Sequence, residues 1–566
     1  MKDIILSILK SLIPVGTLIE VSVPEQETFG HYSTNIAMRL AKTKDTLPMA
    51  IAEELVVKIK STAPAGFFEK VEAGAPGFVN FWLSKKTIQN VFSKIAAEKE
   101  YGRSESGRKK TVIVEYSSPN IAKILNVGHL RNTIIGEALA NIFEFSGYKV
   151  IRWNYLGDWG TQFGKLIAAY KMWGNKKDIE KNPIAELQKI YVRFHEEAKA
   201  DPEIEKKGQE EFKKLESGNK ENRKLWEWFR KESVKEFKRS YKFLDSDFDV
   251  WIGESFFEGE MKSVVRELCD KDIAEKSEGA TVIKLGAFHL PPALIEKSDG
   301  ASLYLTRDIA NLRYRLRKYR PAAILYVIGN EQSFQLEQLF AVAKVLGMDS
   351  AELTHVKYGL VLGENGKKLS TREGNTVSMN EILEKSIALA NDAVRKKNPE
   401  LQENEKNEIA KAVGIGAVKY NDLKENRMTD IIFNWEKMLS FTGDSGPYLQ
   451  YTHARLKSIL RKSKIKNQKS KVDFVMLESE PELALMRKIF EFPDAVQKSK
   501  ELLMTSIIAN YLYKLAGYAN KFYETTPILK DENKPRRMAR LALISTAARV
   551  LKTGLWLLGI EAPEKI

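Results

Sequence analysis

The stretch from Thr111 to Ser146 limits the fold more than any other part of the chain. Thr111-Val-Ile-Val-Glu-Tyr116 is an apolar, β-branched run with the length of a buried strand. From His129 to Ser146, apolar side chains recur at helical spacing, at Leu130, Ile134, Ile135, Leu139, Ile142 and Phe143. A polar turn joins the two. Strand, turn and helix in this order form the opening unit of a nucleotide-binding α/β sheet. The turn carries Lys123 and Asn126, and Gly128 lets the backbone come close to a ligand. His129 stands at the helix start, where free N–H groups and the helix dipole favour anions. Taken alone, the pattern also describes an ordinary strand-to-helix connection with a polar cap.

The rest of the chain can be arranged around this unit. A second strand, Tyr148 to Tyr155, ends in the glycine-rich turn Leu156-Gly-Asp-Trp-Gly-Thr161. Residues from about 174 to 250 are highly charged and helical in pattern, and read as the main part of an insertion that runs to about 280. Strand character resumes at Thr281–Leu285 and Ala301–Thr306. A helix is predicted over Arg307–Tyr319, a doubly buried strand over Ala322–Gly329, a helix over Glu331–Leu346 and a strand over Val356–Leu362. Gly363 to Asn375 is a loop dense in cations and small residues, of a kind that can close over phosphates. Before the central unit, helical stripes at 2–13, 47–61 and 85–98 and strand-like runs at Ile19–Val23 and Gly77–Leu83 make a small α+β unit. After Ser378 nearly every segment is helical, at 378–396, 404–419, 481–496, 499–522 and 534–557, with a basic run from Lys457 to Lys471. The predicted architecture is α/β: a Rossmann-like parallel-sheet domain at 106–376 with its insertion at about 174–280. An N-terminal α+β domain at 1–105, a helical connecting region at 377–440 and an all-helical domain at 441–566 complete it.

A chain of 566 residues is too long for one core. With 43% hydrophobic and 29% charged residues it has the composition of a soluble globular enzyme. The net charge of +15 points to a polyanionic partner such as RNA, against the plainer alternative of a solvated basic surface. No apolar run reaches the length of a membrane span, and the amphipathic N-terminus lacks the cleavage site of a signal peptide. The single cysteine, Cys269, excludes intrachain disulfides and a multi-cysteine zinc site, in keeping with a cytoplasmic protein.

Several motifs together resemble one family. Asn126-Val-Gly-His129 and Lys368-Leu-Ser-Thr-Arg372 resemble the two signatures of class I aminoacyl-tRNA synthetases. Ser117-Ser-Pro-Asn-Ile-Ala-Lys123, Asn154-Tyr-Leu-Gly-Asp-Trp-Gly160, Ser298-Asp-Gly300, Tyr304-Leu-Thr-Arg-Asp308, Gly443 to Arg455 and Leu555-Trp-Leu-Leu-Gly-Ile560 are similar to arginyl-tRNA synthetases, so the resemblance covers essentially the whole chain. It implies ATP-dependent arginylation of tRNA(Arg) through an arginyl-adenylate, with magnesium arriving on ATP, no zinc, no membrane and a monomeric enzyme. By that resemblance Lys123, Asn126, Gly128, His129, Lys368, Ser370 and Arg372 serve ATP and its phosphates. Glu254, Asp308 and Tyr304 form the pocket for the guanidinium. Asn120 and Gln332 hold the amino and carboxylate end, and Phe78 and Asn80 meet the tRNA. Paired carboxylates suit a guanidinium because its donor fork is planar.

Four positions depart from the family pattern: Ile124, Asn126, Gln335 and Ile566. Of these, only Asn126 is expected to touch the chemistry. The rival readings are another class I synthetase, a nucleotidyltransferase without tRNA, and an inactive paralogue kept as an RNA-binding scaffold.

Overall fold

A computed structural model describes residues 1–297, 304–363, 366–367, 377–463 and 472–566. Its centre is a five-stranded parallel sheet. Thr111–Glu115 lies in the middle, between Lys149–Leu156 and Ala323–Gly329. Val250–Gly253 flanks the former and Glu352–Tyr358 the latter, so the earliest strand is central and the strand order reverses across it. In such a sheet, the crevice at the carboxyl ends of the strands beside the reversal is where ligands bind.

Strand alternation splits the interior in two. Val112 and Val114 join Leu325 and Val327 on the face covered by the helix Val127–Phe145. Ile113 joins Ile151, Trp153, Ile324 and Tyr326 on the face covered by the helices Tyr304–Tyr319 and Ser333–Val345. A strand buried on both faces has no polar side to show, which is why Thr111–Glu115 reads as a continuous apolar run. The helix Val127–Phe145 is buried along nearly its whole length. The sheet covers one side, and the helices Glu403–Leu423, Phe492–Leu502 and Lys534–Leu557 cover much of the rest.

The N-terminal unit is an antiparallel sheet, in the order Val21–Ser22, Tyr32–Thr34, Phe78–Leu83, Phe68–Gly74, packed with four helices. The strand Tyr32–Thr34 and the helix Ile36–Lys44 carried no readable pattern, being short. The helical stretch after Trp173 comprises Lys176–Lys181, Pro183–Ala200, Pro202–Glu216 and Lys220–Phe243. It ends before Val250, so the stretch 174–280 is not one insertion: Val250–Gly253 inside it belongs to the central sheet. Thr281–Leu285 corresponds to Ala280–Ile283, which lies in a separate three-stranded antiparallel sheet. The strand expected at Ala301–Thr306 is not found, because Tyr304–Thr306 open the helix Tyr304–Tyr319 and 301–303 lie outside the described residues. The predicted helix 481–496 divides at Glu491 into Glu480–Phe490 and Phe492–Leu502, since Pro493 suits a new first turn and has no N–H for a continuing one. Among the described residues no helix is long and apolar enough to cross a membrane.

Candidate active site

The carboxyl ends of all five strands open into one cleft of about 470 Å³. Glu115, Tyr155, Glu254, Gly329 and Tyr358 come from the five strand ends, and the turn after the first strand adds Ser117, Ser118 and Asn120. Asn126, Gly128 and His129 enter from the helix start, Tyr304, Asp308 and Asn311 from one helix face, and Gln332 and Gln335 from the next helix. The cleft therefore gathers most of the residues singled out in the sequence.

The first turn is held under strain. Ser117, Ser118 and Ala122 have φ of 68°, 45° and 60°, in the left-handed region that costs side-chain-bearing residues energy. Contacts from other elements maintain it. Asn132 Oδ1 accepts the Ser117 N–H, and Ser233 Oγ, on the long insertion helix, accepts the Ala122 N–H at 3.0 Å. Asn120 bridges to Gly157 across the next turn, where a Cβ on Gly157 would lie 1.9 Å from Asn120 Oδ1.

Asn126 and His129 form a capping box. Asn126 Oδ1 accepts the N–H groups of Gly128 (2.9 Å) and His129 (3.2 Å), and the Asn126 N–H donates to His129 Nδ1 (3.1 Å). Asn126 Oδ1 also lies 2.9 Å from Nδ1, but it already accepts two amide protons. The backbone donor therefore sets the tautomer and leaves Nε2 to carry the ring proton. Burial, with Lys123 nearby adding to it, lowers the His129 pKa to about 4. The imidazole is thus neutral at physiological pH. Lys123 itself is exposed.

The acidic side of the cleft behaves differently. Burial pushes the Glu254 carboxyl up to about 8, with Arg307 opposing and Asp308 and Asp158 adding to the shift. Burial likewise raises Asp308 to about 7, Glu115 adding to it. Arg307 Nη1 lies 3.3 Å from Glu254 Oε2, and its guanidinium stands 5.4 Å from the centre of the Tyr304 ring. Gln335 Nε2 donates to Asp308 Oδ2 at 3.1 Å, so this departure from the family pattern also reaches the site, contrary to expectation. Glu115 is paired with the fully buried Arg315, which rests on Trp153.

Among the described residues, Ser118 Oγ, Tyr155 OH and Asn311 Oδ1, all buried on the cleft wall, have no hydrogen-bond partner. Buried polar groups are normally satisfied, so orphans lining one cleft mark where a polar ligand fits. Ser118 and Tyr155 lie inside motifs quoted for the resemblance but carried no assigned role, and Asn311 lies outside those motifs. Asn311 was within reach, because it follows Asp308 by three residues on the same helix face.

Lys368, Ser370 and Arg372 lie outside the described residues. In the N-terminal sheet Phe78 is part-exposed at 37%. Asn80 is not presented to a partner: it is 5% exposed and accepts a 2.7 Å hydrogen bond from Ser33.

A second cleft of about 840 Å³ lies in the C-terminal helices. There the Arg455 guanidinium sits 4.9 Å from the Tyr451 ring and 5.5 Å from the Tyr523 ring, with Arg461 and Lys462 alongside.

Comparison with known proteins matches three family models to consecutive parts of the chain. They are the arginyl tRNA synthetase N terminal domain over residues 1–83, the catalytic domain of class I tRNA synthetases (R) over 90–435, and the DALR anticodon binding domain over 449–566. The arginine–tRNA ligase of Halothermothrix orenii is 42% identical over 549 residues, covering 96% of this chain and 95% of the relative. That of Clostridioides difficile is 43% identical over 552 residues, with 96% and 95% covered. The solved arginyl-tRNA synthetase of Thermus thermophilus superposes with a TM-score of 0.85 at 27% identity, over 100% of this chain and 99% of that one. A strained turn at 117–122, a cleft with two buried acids and a helical third with its own aromatic, basic cleft thus occur on a chain whose whole length these matches span, and the chain belongs to the arginyl-tRNA synthetase family of class I.

Proposed function

We propose that the chain joins L-arginine to tRNA(Arg), using ATP, through an arginyl-adenylate. The observation that carries this reading is the pair Glu254 and Asp308. Two carboxyls whose pKa values burial has raised gain most from a cation that neutralises them, and a guanidinium meets carboxylates with a planar donor fork. Tyr304 lines the same cleft, half-exposed to solvent. Asn120 and Gln332, with the unpartnered Ser118 Oγ, are available to the amino and carboxylate end of the amino acid.

In the first step the arginine carboxylate attacks the α-phosphorus of MgATP and pyrophosphate leaves. In the second, the terminal ribose 2′-hydroxyl of the tRNA attacks the acyl carbon, loses its proton as the ester forms, and releases AMP. Both steps need positioning and charge stabilisation more than covalent help. His129 offers a neutral Nε2–H at the start of a helix. Lys123 adds a positive charge beside it, and Gly128 leaves room for the phosphates. Lys368, Ser370 and Arg372 are assigned to the same phosphates by sequence alone. The cleft around Tyr451, Arg455 and Tyr523 combines π-faces and cations in the way single-stranded nucleic acid requires, so the anticodon loop is assigned to it. Phe78 remains the N-terminal contact to tRNA.

Pyrophosphate exchange with arginine, run with and without tRNA(Arg), tests the reading. Arginine should support exchange. Lysine, ornithine and citrulline should be rejected by a factor on the order of 10⁴, because each leaves buried acids unmatched. Exchange with lysine at a comparable rate would refute the pocket.

A further inference from the structure

Asp158 belongs to the turn after the strand Lys149–Leu156. Its carboxylate is completely buried. Oδ1 accepts the Ser255 N–H at 2.9 Å, while Oδ2 accepts the Ser255 hydroxyl at 3.0 Å and Arg230 Nε at 2.8 Å. On the other side of the same peptide segment, a Cβ on Gly253 would lie 2.0 Å from Asp158 Oδ2, so the carboxylate fills the space where a side chain would stand. Asp158 therefore grips the residue before Glu254 by shape and the residue after it by hydrogen bonds. Arg230 comes from the insertion helix Lys220–Phe243, whose Trp226 also donates to the Asp158 carbonyl at 2.7 Å.

We propose that Asp158 is a positioning residue for arginine recognition: it fixes the direction in which Glu254 presents its carboxylate, and Arg230 holds Asp158 in that role from the helical insertion. The inference rests on the reading of Glu254 as the guanidinium acceptor. Its physical basis is geometric. A planar fork accepts a carboxylate only over a narrow range of positions, and a displacement of about 1 Å can lower turnover by about 10²-fold. Gly253 ends the strand and Glu254 opens the 3₁₀ helix Glu254–Glu260, whose first N–H groups have no partner within the helix, so the Asp158 bonds to Ser255 supply the restraint at that end.

The test uses the full chain and pyrophosphate exchange with tRNA(Arg) present, reading KM for arginine, KM for ATP and kcat separately. Asp158→Asn keeps the volume but turns an amide donor toward Arg230 or the Ser255 hydroxyl. It should raise the arginine KM by about tenfold or more, leave the ATP KM within about twofold, and narrow the preference for arginine over lysine. Asp158→Asn combined with Arg230→Met removes the opposed donor and should recover part of the arginine KM, which damage to folding alone would not do. If Asp158→Asn does not fold, Ser255→Ala, which removes one of the two Ser255 bonds, carries the same test with a smaller expected rise. Unchanged arginine KM in folded Asp158→Asn, or equal rises for arginine and ATP, overturns the proposal. Glu254→Gln separates the two readings. If it leaves the arginine KM at the parental value, the pocket assignment itself fails. If it raises that KM while Asp158→Asn does not, only the role of Asp158 fails.

Discussion

The Asn126 side chain caps the helix that opens at Val127, and it does so through its oxygen. Replacing it with alanine removes an N-cap, which costs about 0.5–2 kcal/mol and should loosen His129 as well. Asn126→Ser retains a capping oxygen. It should therefore melt close to the parent and slow single-turnover adenylate formation less than Asn126→Ala; equal slowing in both would show that the amide donor, not the cap, matters. His129 already works as a neutral donor, since burial holds its pKa near about 4. A neutral asparagine beside it is therefore a smaller departure than the sequence implied. The acids across the cleft give a pH dependence of definite sign. Burial raises the Glu254 and Asp308 carboxyls to about 8 and about 7, and a bound guanidinium favours their ionised forms. Below those values arginine must displace protons. Its kcat/KM should rise from pH 6 to above 8, and calorimetry in buffers of different ionisation enthalpy should detect proton release at pH 6.5 that vanishes above pH 9. A flat profile would contradict the raised carboxyls.

At the scale of elements, the helix Val127–Phe145 is tied to its surroundings by Arg131. This side chain is 1% exposed and donates to the carbonyls of Gly359 (2.9 Å), Leu360 (2.8 Å), Arg427 (3.1 Å) and Thr429 (3.0 Å). Arg131 Nε stands 3.5 Å from Asp422 on the helix Glu403–Leu423, and burial raises the Asp422 carboxyl to about 6 despite that arginine. One residue thus fastens the helix Val127–Phe145 to the segments that lead into the strand Val361–Leu362 and its parallel partner Ile431–Ile432. Arg131→Met leaves a buried carboxylate unpaired and should destabilise the fold by about 3–5 kcal/mol at pH 8. At pH 5 Asp422 is protonated in the folded variant and the charge penalty falls away, so the loss should be smaller there. Denaturant unfolding at the two pH values measures the difference. An equal loss at both would mean that Asp422 does not respond to Arg131.

Across the whole molecule, the helical third supports the catalytic domain as well as offering a nucleic-acid surface. Phe145, at the end of the helix Val127–Phe145, packs against Phe492 and Trp556, and Asn141 donates to the Trp556 carbonyl at 3.2 Å. Lys419 bridges the carbonyls of Leu244 and Gly559. Deleting 441–566 strips this cover and should abolish adenylate formation along with tRNA charging, as exchange and circular dichroism would report; retained exchange would show the catalytic part to be self-sufficient. In the intact chain, tRNA affinity should drop by about 10³–10⁵ between 50 and 200 mM salt if about 6–10 phosphates are contacted. Much of this organisation was legible in the sequence. The strand and helix flanking the turn at 117–126 and the helices of the last third are written in local periodicity, because a strand or helix is decided largely by residues within about four positions of one another. Asp308 lies in a short motif, whereas Glu254 was reached only through the family resemblance. The strand at Val250–Gly253 and the helical start at Tyr304 were not legible, since four short residues or a helix end depend on neighbours far along the chain. The same holds for the role of Asn126 as a cap, the inward turn of Asn80, and the contacts Gln335–Asp308, Arg307–Glu254 and Asp158–Ser255. The sequence by itself determined most of the longer elements and which chemical groups the chain carries. The tertiary structure alone decided which of those groups share one buried cleft, because strand order and the desolvation that raises Glu254 and Asp308 arise only when distant segments close over them.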